Sequence, residues 1–151
     1  MNIKIKKLTD TAKTPTKGST GAAGYDIYAD IDENIIIPFH NVEKINTGIA
    51  LEIPNGYFGA IFARSGLATK QGLRPANAVG VIDSDYRGEI IVALHNDTNE
   101  PREIVPQERI AQLIVLPCQE VTFEEVDELQ DTDRGEGGFG STGTTDTVDS
   151  I

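Results

Sequence analysis

NAVGVIDSDYRGEI, residues Asn77–Ile90, is the stretch from which the fold is inferred. Its first half alternates small and β-branched residues as far as Ile82, which is the pattern of a strand packed on both faces. Residues 88–94 repeat that pattern, and the aspartates, serine and glycine between the two halves have turn chemistry. The stretch therefore predicts a β-hairpin that carries two carboxylates and a tyrosine at its tip.

Gly80 and Asp83 are the residues of this stretch that have a candidate function. A glycine inside a strand leaves the backbone bare, so a flat ligand can pair with main-chain N–H and C=O groups. Asp83 follows an apolar run, which suits a carboxylate that activates water. The alternative is that Asp-Ser-Asp is ordinary turn composition, and the local residues alone favour that alternative.

Strand patterns recur along the chain at a spacing of roughly ten residues, separated by glycine or proline. Candidate strands begin near Ile3 and Ile5 and continue at residues 25–29, 35–37, 42–53 and 57–63. The best helical candidate is one or two turns over Gly66–Gln71, with Ser65 as its N-cap. The pattern predicts an all-β domain with at most one short helix.

The chain of 151 residues suits a single domain with a sizeable core. Beyond Glu128 the composition changes, and residues 130–151 are rich in aspartate, threonine, glycine and serine. Such a segment has too little apolar surface to hold itself against the core. We therefore predict a β domain over residues 1–128 and a flexible C-terminal arm over residues 129–151.

Composition also excludes several functions. Thirteen Lys plus Arg against twenty-four Asp plus Glu give a net charge of −11, which disfavours binding to nucleic acid. Cys118 stands alone, so we expect no internal disulfide and a reducing cytoplasm, that of the host cell if the protein is viral. No apolar run suits a signal peptide or a membrane span, and one cysteine with two histidines does not predict zinc.

Five segments resemble, in order, the five motifs of the trimeric dUTPases, the dUTP diphosphatases. They are Ala22–Ala29 (AAGYDIYA), Ala63–Leu73 (ARSGLATKQGL), Gly80–Ile90 (GVIDSDYRGEI), Gln107–Ile114 (QERIAQLI) and Arg134–Gly143 (RGEGGFGSTG). The resemblance implies a distorted jelly roll, also called a β-clip. It also implies a homotrimer with sites at subunit boundaries, each closed by the C-terminal arm of another subunit.

The same resemblance implies hydrolysis of dUTP to dUMP and pyrophosphate with Mg²⁺, which limits uracil incorporation into DNA and supplies dUMP for dTMP synthesis. Asp83 would activate water for attack at the α-phosphorus. Because a triphosphate is strongly anionic and the chain is acidic, local cations such as Arg64 and Arg134 must overcome the overall charge.

The resemblance distributes substrate contacts over the five motifs. Gly80 and Val81, with Asn77, would bind the uracil edge, and Tyr86 would lie under the sugar and exclude a ribose 2′-hydroxyl. The phosphates and the base would meet two further groups of residues, the first being Arg64, Ser65, Gly66 and Gln112. The second, in the arm, is Arg134, Phe139, Gly140, Ser141 and Thr142, with the phenylalanine stacked on uracil. Asp26 would lie in the outer shell of the metal.

Each motif also has a structural alternative. In this alternative, Arg64 would be a surface residue beside a helix cap, and residues 134–143 would be a flexible linker. Alternation places Gln112 on the face of Ile110 and Ile114, and in this alternative its amide would bond to an adjacent strand. Asp26 would be a buried carboxylate that bonds to an arginine, and Arg109 would belong to a structural ion pair.

Two rival functions remain at this stage. A dCTP deaminase shares the fold but uses a different base and a different tip, and ammonia release from dCTP would reveal it. A nucleotide-gated regulatory protein could use the same scaffold to bind a partner. The motifs of the zinc deaminases are absent from the sequence.

Overall fold

A computed structural model describes residues 1–139 of the chain. Its contacts divide the chain between Glu120 and Val121. All the strands and the helix lie in the first unit, Met1–Glu120. The sequence predicts a boundary between residues 128 and 129, where a closing arm would begin. That boundary stays a prediction. In the part of the chain that is described, no helix is long and apolar enough to cross a membrane.

The first unit is built of short strands. In chain order they are β1 (Lys4–Lys7), β2 (Thr16–Lys17), β3 (Tyr25–Tyr28), β4 (Ile35–Ile37), β5 (Val42–Asn46), β6 (Ile49–Glu52), β7 (Tyr57–Phe62), β8 (Leu73–Pro75), β9 (Gly80–Ile82), β10 (Ile91–Asn96), β11 (Arg102–Ile104) and β12 (Arg109–Pro117). Within residues 1–139 one short π-helical turn, Leu67–Gln71, interrupts them. The prediction of an all-β domain with at most one short helix is confirmed.

The strands form four antiparallel sheets. The largest has the order β2-β3-β12-β7-β9, and a three-stranded sheet has the order β5-β10-β8. The pairs β1-β6 and β11-β4 complete the set. Isoleucine and leucine dominate the buried core between them, because β-branched and large apolar side chains pack well on pleated surfaces.

The predicted hairpin is wrong. Both strands lie in the described region, but β9 pairs with β7 and β10 pairs with β5 and β8, so they do not pair with each other. The two strands thus belong to different sheets, and residues 83–90 form the connection between them. Local alternation predicts that a strand forms but not which strand it pairs with, and here both partners are distant in sequence.

The predicted cap at Ser65 is also wrong. The N-cap position falls on Gly66, and no side chain caps the helix. Ser65 instead uses its carbonyl oxygen, which accepts a hydrogen bond from the Thr69 hydroxyl at 2.7 Å. The turn ends at Gly72, whose φ of +66° is the left-handed conformation that glycine adopts at helix C-termini.

Candidate active site

A cavity of about 400 Å³ lies between β9 and β10. Its lining includes five residues that the sequence predicted for the site: Asn77, Gly80, Val81, Asp83 and Tyr86. A paired hairpin would have filled this space with hydrogen bonds between the two backbones. The separation of the strands is therefore what creates the cavity.

One wall of the cavity is the free edge of β9. This strand is the last of the five-stranded sheet and pairs with β7 on its other side, Gly80 opposite Ile61. An edge strand presents a row of N–H and C=O groups that have no ladder partner. Because all three β9 residues and Ile91–Ala93 of β10 line the cavity, those groups are available to a ligand between the strands.

Gly80 is required by packing as well as by access to the backbone. A Cβ at this position would lie 3.1 Å from the Cβ of Ile61 and 3.5 Å from Nδ2 of Asn77. The chain enters β9 through a tight turn at Ala78, whose φ is +61°, and Val79 N donates to the carbonyl oxygen of Asn77 at 2.7 Å. A non-glycine residue in this conformation is strained, and the turn keeps the Asn77 amide beside Gly80.

Asp83 lies at the rim, directly after β9, and is exposed. Its carbonyl oxygen accepts a hydrogen bond from Tyr86 N at 3.2 Å, which closes a turn. Arg87 braces that turn, since its Nη1 donates to the carbonyl oxygens of Ser84 at 2.6 Å and Tyr86 at 2.9 Å. Asp83 also borders a second cavity of about 470 Å³. The carboxylate is thus open to water and carried on a braced backbone.

Tyr86 is folded back onto the connection that carries it. Its hydroxyl donates to the carbonyl oxygen of Glu89 at 3.0 Å. A Cβ at Gly88 would lie 2.4 Å from the Tyr86 hydroxyl oxygen, so only glycine leaves room for the ring. The ring is half-exposed and lines the cavity, where it is accessible to a ligand.

Arg64 and Arg109 converge on the carboxylate of Asp26. Arg64 Nε lies 2.9 Å from Oδ1, and Arg109 Nη1 lies 3.3 Å from Oδ2. Arg64 Nη1 also donates to the carbonyl oxygen of Arg109 at 3.2 Å. Asp26 is buried, and the ion pairs predicted as the alternative for Asp26 and for Arg109 are both present. The cluster of two guanidinium groups and one carboxylate keeps one positive charge in excess.

Gln112 lies beside this cluster, in register with Asp26 on β3 and with Phe62 on β7. The prediction that it shares a face with Ile110 is wrong, because the register of β12 shifts between Arg109 and Ala111. The shift places Ile110 in the core together with its neighbour Ala111, whereas Gln112 is only half-buried. A Cβ at Gly24 would lie 3.0 Å from Gln112 Oε1, so that glycine makes room for the amide.

The side chains of Ile61 and Gln112 point to opposite faces of the large sheet. Gly80 is in register with Ile61, whereas Gln112 is in register with the next residue, Phe62. Successive residues of a strand point to opposite faces, and residues in register share a face. The lining of the cavity includes Ile61 but not Gln112.

The described residues do not form a metal site by themselves. In residues 1–139 no three His, Cys, Asp or Glu side chains lie close enough together to hold an ion. Both oxygens of Asp26 bond to arginines, and two guanidinium groups oppose the approach of a cation. Asp26 does not fit as a direct ligand, and its predicted outer-shell role stays a prediction.

The second unit is described as far as Phe139, which is fully exposed. Arg134 closes a small turn of its own, with Nε donating to the carbonyl oxygen of Gly137 at 2.8 Å. The predicted contacts of Arg134 and Phe139 with substrate stay predictions. Gly140, Ser141 and Thr142 lie outside the described residues.

Sequence reasoning missed Glu89. Its carboxylate bonds to residues 46–48, on a distant segment, while its carbonyl oxygen accepts the hydroxyl of Tyr86. A glutamate between Gly88 and the apolar Ile90 is unremarkable in sequence, and only the tertiary contacts reveal it.

The fold and the cavity define an all-β protein with a backbone-lined pocket beside a carboxylate. The dUTPase family model matches residues 10–143. The deoxyuridine 5′-triphosphate nucleotidohydrolase of Desulfitobacterium hafniense is 50% identical over 143 residues, which cover 91% of this chain and 95% of that protein. The chain belongs to the dUTPase family.

Solved structures agree with this assignment. A mutant dUTPase of Staphylococcus bacteriophage 80alpha with dUpNHpp has a TM-score of 0.84 at 29% identity, covering 95% of this chain and 99% of that one. A mutant dUTPase from phage phi11 of S. aureus, described as revealing the coordination of a structural Mg(II) ion, has a TM-score of 0.75 at 23% identity. It covers 85% of this chain and 98% of its own. The predicted distorted jelly roll of the dUTPases is confirmed.

Proposed function

We propose that this chain hydrolyses dUTP to dUMP and pyrophosphate. The observation that carries the proposal is the cavity between β9 and β10, with a free backbone edge as one wall and Asp83 at its rim, in a member of the dUTPase family. In a cell the reaction would limit uracil incorporation into DNA and supply dUMP. The exposed free thiol of Cys118 suits a reducing cytoplasm, of the cell itself or of a host.

The edge of β9 would select uracil by main-chain hydrogen bonding. N–H and C=O groups of Gly80 and Val81, with the Asn77 amide, match the acceptors and the N–H of the uracil edge. The amino group of cytosine would set a donor against a donor. Mismatches that leave buried polar groups unpaired can cost roughly 10⁴-fold in kcat/KM.

The pocket would also select deoxyribose. The Tyr86 ring is held over Gly88 by its hydrogen bond to Glu89, so its distance from the sugar is fixed. A 2′-hydroxyl on the sugar would require the ring to move. The cost of that movement would favour dUTP over UTP.

Asp83 would act as the general base. Its exposed carboxylate would orient a water molecule in line with the α-phosphorus and accept one of its protons. The remaining hydroxide forms the new P–O bond, and the bond from the α-phosphorus to the bridging oxygen breaks. Pyrophosphate leaves with that oxygen, and dUMP retains the oxygen from water.

Arg64 and Gln112 would bind the phosphates of a nucleotide held by another subunit. In support, Gln112 does not line the cavity and points to the face of the sheet opposite that of Ile61, which does line it, and the Asp26 cluster keeps a positive charge in excess. A homotrimer with sites at its subunit boundaries would bring the two faces together around one ligand. Ser65 and Gly66, at the start of the short helical turn, would add backbone donors.

The arm over residues 129–151 would close the site. Phe139 would stack on uracil, while Arg134, Gly140, Ser141 and Thr142 would meet the phosphates. An extended segment from Val126 to Gly138 spans at most about 40 Å, which is long enough to reach a neighbouring subunit. Mg²⁺ would be held by phosphate oxygens and water rather than by protein carboxylates, and it would neutralise part of the phosphate charge.

Pyrophosphate release from dUTP, dCTP, UTP and dTTP tests the proposal. We expect rapid release from dUTP alone among the four nucleotides. Ammonia release from dCTP would identify a deaminase instead, and tight dUTP binding without turnover would favour the regulatory protein. The test is direct because the three functions predict different results: pyrophosphate from dUTP, ammonia from dCTP, or no product.

A further inference from the structure

Glu89 ties the connection between β9 and β10 to a corner between β5 and β6. Its Oε1 accepts hydrogen bonds from the backbone N–H groups of Gly48 at 2.8 Å and Thr47 at 3.1 Å. Its Oε2 accepts from Asn46 Nδ2 at 3.2 Å. A carboxylate that accepts three hydrogen bonds is strongly held, because charge-assisted bonds are about twice as strong as neutral ones.

The corner to which Glu89 bonds is itself well fixed. Gly48 has a φ of +64°, which favours glycine, and a Cβ there would lie 2.8 Å from the Cβ of Ala12, so any other residue would strain the corner. Ile90 N donates to the carbonyl oxygen of Ile49 at 2.9 Å, and the buried Thr47 hydroxyl donates to the carbonyl oxygen of Ile90. The backbone of Ile90, directly after Glu89, is therefore anchored to the same corner as the Glu89 carboxylate.

The anchor extends to the cavity through the main chain. The carbonyl oxygen of Glu89 accepts the hydroxyl of Tyr86, and Gly88 between them leaves the space that the ring occupies. Glu89 also lines the cavity. The Tyr86 ring is thus bonded to the residue whose carboxylate is anchored at the corner between β5 and β6.

We propose that Glu89 is a positioning residue that sets the selectivity for dUTP over UTP through Tyr86. This inference rests on the proposed function, because it assigns a role to Glu89 at the same site. Without the carboxylate, residues 86–89 are free to shift. The ring then makes room for a 2′-hydroxyl.

The test compares kcat and KM for dUTP and UTP in the wild type, Glu89→Ala and Glu89→Asp. We expect the ratio of the two kcat/KM values to fall about tenfold in Glu89→Ala, mainly through a better relative KM for UTP. Glu89→Asp keeps the charge, but its side chain is too short to make all three bonds. The selectivity ratio should therefore fall similarly in this variant. Glu89→Gln keeps an acceptor for Thr47 N and Gly48 N and should restore most of the selectivity.

The selectivity ratio separates positioning from mere stabilisation, since it does not depend on the fraction of folded enzyme. Glu103→Ala is the matched control, because Glu103 accepts a hydrogen bond from Asn34 Nδ2 at 2.9 Å on the β11–β4 sheet. Its ratio should equal that of the wild type. In a double-mutant cycle, Tyr86→Phe and Glu89→Ala should be non-additive, because both break the same link.

Two results would overturn the inference. One is an unchanged ratio of kcat/KM for dUTP over UTP in both Glu89→Ala and Glu89→Asp, whatever their melting temperatures. If Glu89→Ala does not fold, Glu89→Asp decides alone. The other is full additivity with Tyr86→Phe. Failure of the wild type to hydrolyse dUTP is a distinct outcome, which would reject the proposed function itself.

Discussion

Gly80 and Ile61 approach so closely across the β9–β7 pair that a Cβ on Gly80 would lie 3.1 Å from the Cβ of Ile61. This contact determines how closely β9 packs against β7. The other edge of β9 is the wall that would bind uracil. Packing in the core and the proposed recognition of the base would thus depend on one position without a side chain.

Gly80→Ala should weaken dUTP binding. The added methyl group would push β9 away from Ile61 by a few tenths of an ångström and crowd the Asn77 amide. We expect kcat/KM for dUTP to fall about 10-fold to 100-fold, since small misplacements of bound substrate are costly. Gly21→Ala is the control, because a Cβ there meets nothing within 4 Å. Equal kinetics for the two variants would contradict the role of the β9 edge.

Asp83→Asn should abolish turnover and spare binding. The amide keeps the size of the side chain but does not accept a proton from water, and general-base catalysis typically contributes about 10²-fold to 10⁴-fold. Calorimetry with a non-hydrolysable dUTP analogue should give a Kd within about threefold of the wild type. Asp85→Asn, which removes the same charge two residues away, should keep its activity. Substantial turnover by Asp83→Asn would assign the base elsewhere.

Tyr86→Ala should relax selectivity for the sugar. Removing the ring opens the space beside the 2′ carbon, so kcat/KM for UTP should rise relative to that for dUTP. Tyr86→Phe keeps the ring and loses only the hydrogen bond to Glu89, so its change should be smaller. Competition assays with both nucleotides measure the ratio directly, and an unchanged ratio in Tyr86→Ala would discard the sugar gate.

Removal of residues 129–151 should leave the β domain folded but largely inactive. All the strands of the structure precede Val121, so circular dichroism and the thermal transition should change little. Loss of the arm would leave the nucleotide open to water and without Phe139 and Arg134. Normal pyrophosphate release by the truncated chain would contradict the proposed role of the arm.

Most strands could be predicted from the sequence because their alternation is local. The apolar runs Ile35–Ile37 and Tyr57–Phe62 both form strands as expected. The first ends before a proline, and the second lies between a glycine and a charged segment. The cavity residues Asn77, Gly80 and Tyr86 were predicted together because they are close in the chain. The resemblance of the motifs supplied their expected roles.

Strand pairing and register were not predictable in the same way. The partner of β9 is β7, and nothing in either segment encodes that choice over β10. The register shift between Arg109 and Ala111 separates Ile110 from Gln112, which simple alternation would place on one face. The link from Glu89 to Gly48 spans 41 residues and depends on the folding of two sheets. Such relationships arise from tertiary packing, which overrides the local pattern.

The most direct test of the central claim is a crystal structure of the chain with a non-hydrolysable dUTP analogue and Mg²⁺. The account predicts that uracil lies between β9 and β10, hydrogen-bonded to main-chain groups of Gly80 and Val81, with a water molecule between Asp83 and the α-phosphorus. A base bound outside this cavity, or an Asp83 carboxylate directed away from the α-phosphorus, would contradict it.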